Sequence, residues 1–356
     1  MINRDRQWQS HMEMAQIGAT SAGGVCRLAL SDEDRESRAL FVRWAEEAGC
    51  TVRVDRVGNI FARRPGTEKR LPPVMTGSHL DTQPLGGRFD GAYGVLAGLE
   101  VVRSLNDSDT QTRAPIDVVV WTDEEGCRFT SKTMGSMVFT GMVSEETVCE
   151  VRDPDGKSFG DELKRIGYAG SEPCGGYPVK AYFEAHIEQG PLLEQAGIPV
   201  GAVVGAQGQR CFIITVTGEE GHAGTLPMDQ RRDSFLGAAR MTDAINRVAF
   251  NFDPVPVATV AHVQVRPNSR NTIAGETKFT IDSRHPDADT LAALEEKMLD
   301  ACRGIAEEMG LDIDIDRTSV APPVSFDTAL IDSMRNAAKE LGILNMDMFS
   351  AAGHDA

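Results

Sequence analysis

Three short apolar runs that break off into acids and histidines constrain this chain more than anything else in it: PPVMTGSHLDT, IDVVVWTDEEG and AYFEAHIEQG. Val/Ile-rich runs of strand length, separated by helical stretches, predict an α/β arrangement: a mainly parallel sheet covered on both faces. In such sheets ligands gather beyond the carboxyl ends of the strands. His79, Glu124, Glu125 and His186 all fall just past a strand end, so their placement is the first sign of a shared site.

Between and after these strands the pattern sets the rest of the architecture. Residues 31–49 read as a helix that opens with Ser31 and Asp34 in the manner of a capping box and stops at Gly49. A second helix covers residues 94–105. From Cys211 the rhythm changes: CFIITVTG alternates as a strand, and residues 233–250 carry Phe235, Leu236, Met241, Ile245 and Val248 at helical spacing. VATVAHVQV and TKFTIDSRH follow as strands, residues 289–309 as a helix, and LDIDIDRTS as a last strand. The order β-α-β-β-α-β is that of the ferredoxin-like split unit. The expected organisation is a first domain over residues 1–210, an inserted α+β domain over 211–326, and a return to the first domain over 327–356; strands that continue the large sheet are the alternative, which the return helix disfavours. Leu330, Ile331, Met334, Ala338 and Leu341 form the apolar stripe of that return helix, with Gly342 at its stop.

Composition narrows the function classes. A chain of 356 residues exceeds one ordinary core. Its formal charge of −17 argues against affinity for nucleic acid or an anionic membrane. The apolar runs are too short to span a bilayer, and the N-terminus lacks the apolar segment of a secretory signal. Seven scattered cysteines with no CxxC pair suggest reduced thiols and a cytoplasmic setting.

The chemistry rests on a few positions. In an extended segment, residues i and i+2 point the same way, so Asp81 can stand behind His79 and fix its tautomer, directly or by bracing the loop. Asp90, in the glycine-rich GGRFDGAYG, is either an N-cap or a carboxylate able to bridge two cations. The adjacent acids of TDEEG repel one another and need a cation or full solvation. With a cation, one of Glu124 and Glu125 binds it while its neighbour carries a proton from the attacking water to the leaving nitrogen. A solvent-facing His79 and a hydrogen-bonded core His186 are the plainer alternatives. The ordered set of imidazoles and carboxylates suits zinc, manganese, cobalt or nickel rather than calcium.

Taken together, GSHLDTQPLGGRFDGAYGVLAGLE, TDEEGCRF, Gly135-Ser136, HIEQGP, QGQR, GHAGTLPMDQRRD, RPNSRNTIAG and GHDA resemble the amidase/hydantoinase/carbamoylase family across essentially the whole chain. The resemblance is to N-carbamoyl-L-amino-acid hydrolases and bacterial β-ureidopropionases, with allantoate amidohydrolase a close alternative. It implies a two-metal hydrolase domain with an inserted lid and dimerisation domain. His79 and His186 would hold one metal, Asp90 would bridge, Glu125 would bind the second metal, and Glu124 would be the base. Gln189, His222, Asn271 and Arg284 match the family's substrate-contacting positions. Arg284 would hold the substrate carboxylate, and His222 and Asn271 would polarise the ureido carbonyl. The substrate would be a small ureido acid and the assembly a homodimer. A dipeptidase or aminoacylase on the same fold, and a metal-poor paralogue without activity, are the competing readings. The family also supplies a further histidine to the second metal from beyond GHDA, whereas this chain ends at Ala356. The expectation is a C-terminally truncated chain whose second metal is weakly held and whose activity is reduced or absent.

Overall fold

The computed structural model describes residues 2–129 and 131–356. The chain forms two compact units, one of Met1–Gln189 with His354–Ala356 and the other of Gly190–Gly353.

In the first unit α1 (Arg4–Met14) precedes α2 (Asp32–Glu47), whose N-cap Ser31 accepts the Asp34 amide as the capping signature predicts. Then come β1 (Thr51–Val54), β2 (Ile60–Arg64), β3 (Val74–His79), α3 (Ala92–Asp107) and β4 (Ile116–Trp121). Three short helices follow, α4 (Met134–Phe139), α5 (Glu145–Glu150) and α6 (Phe159–Arg165), before β5 (Ala181–Phe183). The sheet order is β1-β2-β4-β3-β5. β3 runs parallel to both β4 and β5, and the antiparallel β1–β2 hairpin joins along the other edge of β4.

Burial on both faces of β4 explains its continuous apolar run. Val118 and Val120 pack with Phe41, Trp44, Val95 and Leu99, while Val119 and Trp121 pack with Phe61 and Met75 on the opposite face. At Gly77 a Cβ would lie 2.0 Å from the Val119 carbonyl oxygen, so β3 can run this close to β4 only as glycine.

The second unit begins with α7 (Leu192–Ala196), β6 (Val200–Ala206), β7 (Gly208–Thr217) and β8 (Gly221–His222). It continues through α8 (Ser234–Ala249), β9 (Val257–Arg266), β10 (Thr272–Ile273), β11 (Glu276–His285), α9 (Ala288–Met309) and β12 (Asp312–Ala321). β12-β7-β11-β9 is an antiparallel four-stranded sheet. Helices α8 and α9 bury Met241, Ile245, Leu294 and Met298 against Phe212, Ile214 and Phe279. Every element of the expected split unit is present within a few residues of its predicted limits.

The compact units divide elsewhere than at residues 210 and 327. β13 (Val324–Ser325), α10 (Thr328–Glu340) and β14 (Asn345–Ser350) complete the second unit. β6 pairs antiparallel with β13 and parallel with β14, and α10 packs on β6. These hydrogen bonds tie both flanks of the split unit to each other, so only His354–Ala356 group with the first unit. Among the described residues no helix is long and apolar enough to cross a membrane.

Candidate metal centre

The ends of β3, β4 and β5 place their polar tails together, as the run-then-acid pattern predicts. His79 is the last residue of β3, and its Nδ1 lies 2.9 Å from the Asp81 carbonyl oxygen. Beyond β5, His186 Nδ1 lies 3.0 Å from the Ile187 carbonyl oxygen. Each imidazole therefore donates Nδ1–H to a backbone carbonyl and turns Nε2 toward the carboxylates of the cluster, the orientation a metal ligand needs.

Asp90 meets both rings. Its Oδ1 is 3.2 Å from His186 Nε2 and 4.0 Å from His79 Nε2. It is not the N-cap of α3; Gly91 takes that position with φ of 63° and no side-chain cap. A Cβ at Gly91 would lie 2.4–2.5 Å from three atoms of the His79 ring, so the imidazole occupies the space a side chain would fill.

Asp81 braces the loop after β4. Its carboxylate oxygens accept the backbone amides of Glu124 at 3.3 Å and Glu125 at 3.2 Å. Glu124 Oε2 stands 3.5 Å from His79 Nε2. Glu125 Oε2 accepts from Gln83 Nε2 at 3.1 Å, while its Oε1 is buried without a hydrogen-bond partner. Both carboxylate oxygens of Asp123 and Oδ2 of Asp355 are likewise buried and unpartnered.

Crowding of buried carboxylates sets the electrostatics. Burial, then Asp81, Glu125 and Glu184, pushes the Glu124 carboxyl up to about 9. Burial raises Asp81 to about 7. Burial lowers His79. Burial works against charge on His186 too, but the bond to Asp90 holds it above the ordinary imidazole range. Asp90 is correspondingly lowered despite burial.

These residues fit a cation. One ring nitrogen each of His79 and His186 and a carboxylate oxygen of Asp90 lie within 4.8 Å of one another, and one Glu125 oxygen is buried without a hydrogen-bond partner. The nitrogen and oxygen donor set is that of a first-row transition metal or zinc.

The predicted substrate residues divide between the units. Gln189, held at φ of 57°, donates Nε2–H to Asp90 Oδ2 at 2.7 Å. In the second unit β8–β10 pairing brings His222 and Asn271 together: His222 is opposite Thr272, and the Ala223 amide donates to the Asn271 carbonyl. Arg284 sits on β11 with its guanidinium donating to both Asp282 oxygens and to the Ala351 carbonyl, so any carboxylate it clamps must take over donors already in use.

Two residues near the histidines had no predicted role. Glu184 accepts Ser78 Oγ–H at 2.5 Å and the Tyr182 hydroxyl at 3.3 Å, and it groups with His186 and His354. The same i, i+2 rule that pairs His79 with Asp81 pairs Glu184 with His186. Asp355 accepts Ser136 Oγ–H at 2.5 Å across 219 positions of sequence, a contact no local signal carries.

Known proteins decide the family. The model of peptidase family M20/M25/M40 matches residues 75–356. The chain belongs to that family. An N-carbamoyl-L-amino-acid amidohydrolase of Rhizobium meliloti is 45% identical over 355 residues, covering 100% of this chain and 85% of that protein. Allantoate amidohydrolase of Escherichia coli K12 is 36% identical over 349 residues, covering 96% and 84%. A crystal structure of an amidase of the hydantoinase/carbamoylase family from Burkholderia multivorans superposes with a TM-score of 0.94 at 52% identity, over 100% of this chain and 86% of that one. Within the M20/M25/M40 family the chain is a hydrolase of carbon–nitrogen bonds, grouped with the hydantoinase/carbamoylase amidases its motifs resemble.

Proposed function

We propose that this enzyme hydrolyses the ureido group of N-carbamoyl-L-amino acids or N-carbamoyl-β-alanine. One water and one ureido acid give the amino acid, ammonia and carbon dioxide. The observation that carries this reading is the Glu124 carboxylate beside the His79–Asp90–His186 triangle, in a chain that matches an N-carbamoyl-L-amino-acid amidohydrolase over its full length.

In this mechanism His79, Asp90, Glu125 and His186 would hold two divalent ions, zinc, manganese, cobalt or nickel. When bound, such ions supply Lewis acidity at the carbonyl and lower the pKa of water. Glu124, whose carboxyl the positive charge of bound ions would return to its ionised form, takes the proton from the attacking water and delivers it to the leaving nitrogen. Asp81 keeps Glu124 and Glu125 in place through their amides. Gln189, His222, Asn271 and Arg284 contact the substrate, with Arg284 on its carboxylate and His222 and Asn271 on the ureido oxygen. We further propose a cytoplasmic homodimer joined through the second unit.

Ammonia release from N-carbamoyl-L-amino acids, N-carbamoyl-β-alanine, allantoate, N-acetyl amino acids and dipeptides tests the reading. Turnover of the carbamoyl acids is the expected result, and turnover of only acyl or peptide substrates overturns it. Allantoate is the second reading, favoured by the allantoate amidohydrolases among the relatives, and preferential allantoate turnover would select it. Glu124→Gln should cut kcat by about 10²–10⁴-fold while metal content is retained. Unchanged turnover in that variant would remove Glu124 from the mechanism.

A further inference from the structure

Glu184 and His354 converge on an imidazole already used by the first group. Ligand atoms of Glu184, His186 and His354 lie within 4.8 Å of one another, as do those of His79, Asp90 and His186. The rings of His186 and His354 are 4.3 Å apart, closer than the 6.1 Å between His186 and His79. His354 is held there by its neighbour: Ser136 Oγ–H donates to Asp355 Oδ1 and anchors the 354–356 segment in the first unit. Among the described residues Glu184 accepts from the Ser78 and Tyr182 hydroxyls, and each carboxylate oxygen retains a lone pair for a further partner.

We propose that Glu184, His186 and His354 form a second seat for a divalent transition metal, sharing His186 with the His79–Asp90–His186 group so that His186 serves one ion at a time. The exclusion follows from the imidazole itself. Nδ1 of His186 is taken by the Ile187 carbonyl, so Nε2 alone can coordinate. Two imidazoles and one carboxylate are a zinc, cobalt or nickel donor set. Tetrahedral ligands about 2.1 Å from such an ion lie roughly 3.4 Å apart, so side-chain rotation closes the gap without backbone movement. No substrate enters this inference, and it stands whether or not the ureido reading holds.

The test uses the whole protein, freed of metal with a chelator and titrated with Co²⁺ while the visible d–d absorption is read. The double variant His79→Ala/Asp90→Asn removes the first group. It should still bind one Co²⁺ per chain. Adding His354→Ala or Glu184→Gln should weaken that binding at least about tenfold. Ser136→Ala, which frees the His354 segment without removing a ligand, should weaken it less. Far-ultraviolet circular dichroism and a melt of each metal-free variant confirm that the fold is kept. If the double variant binds no Co²⁺, or binds it equally well after His354→Ala and Glu184→Gln, the second seat does not exist.

Discussion

Replacing Arg38 by Met should destabilise the first unit by several kcal/mol, although Arg38 touches none of the proposed ligands. Arg38 and Asp34 are both fully buried one helical turn apart on α2. The guanidinium donates to Asp34 Oδ2 at 2.9 Å, to the Gly58 carbonyl at 2.8 Å, and to Thr122 Oγ1 at 3.4 Å at the start of the TDEEG loop. Breaking a buried ion pair by removing one partner costs about 3–5 kcal/mol, because the surviving charge stays buried. Here the surviving charge has company: Arg38 also offsets the buried carboxyls of Asp81 and Asp123. Met fills the space of the arginine stem but leaves three acids uncompensated. Asp34→Asn should therefore cost less, about 1–3 kcal/mol, since Arg38 keeps two other acids to face and Asn keeps an acceptor for the Leu30 amide.

The assay is selective for this unit. All three tryptophans, Trp8, Trp44 and Trp121, belong to it, so fluorescence-monitored unfolding reports it alone. For a unit of this size each kcal/mol moves Tm by about 2–4 °C, which puts Arg38→Met roughly 6–20 °C below the wild type. A loss under about 1 kcal/mol, or a larger loss for Asp34→Asn than for Arg38→Met, would refute the reasoning.

Two further perturbations probe the site and its surroundings. Gly91→Ala places a methyl group within 2.5 Å of the His79 ring at a φ of 63°, so metal affinity measured by titration should fall at least about tenfold; Gly87→Ala, with open space at its Cβ, should leave it unchanged. Burial lowers His11 from 6.5 to about 4, beside Phe89 and Tyr93. The unfolded chain then takes up a proton near pH 6.5 that the folded one refuses until pH 4. The neutral-His11 contribution is thus present above pH 6.5, and up to about 3 kcal/mol is lost as pH falls to 4. His11→Phe should flatten the stability curve in that window by up to about one proton, and superimposable curves would show that His11 is not the group responsible.

How much of this was legible in the sequence depends on the range of each interaction. The split unit was readable almost residue by residue, because alternation in β7, β11 and β12 and the stripe on α8 are local consequences of one buried face. His79, Glu124, Glu125 and His186 could be gathered into one site because strand ends in such a sheet share an edge. The β13-β6-β14 sheet could not be read, since β6 and β14 pair across some 140 positions and nothing in either short run specifies the partner. The unit boundaries shifted with it. Asp90 looked equally like a helix cap, and what separates the two roles is the left-handed Gly91, a conformation the sequence permits but does not announce.

The supports behind the candidate metal centre were the least visible part. No sequence signal singles out Arg27 or Arg38, yet both are fully buried. Arg27 Nε donates to the Leu80 carbonyl, the Arg27 amide donates to Thr82 Oγ1 and the Thr82 amide to the Arg27 carbonyl, fixing the loop that carries His79 and Asp81. Arg38 does the same for Thr122 and the loop that carries Glu124 and Glu125. A hydrophobicity pattern assigns such arginines to the surface because an isolated buried guanidinium is prohibitively costly. The acids themselves overturn that assignment. The clustered carboxyls carry excess negative charge into the interior, and the Arg27 and Arg38 guanidiniums behind the loops offset it.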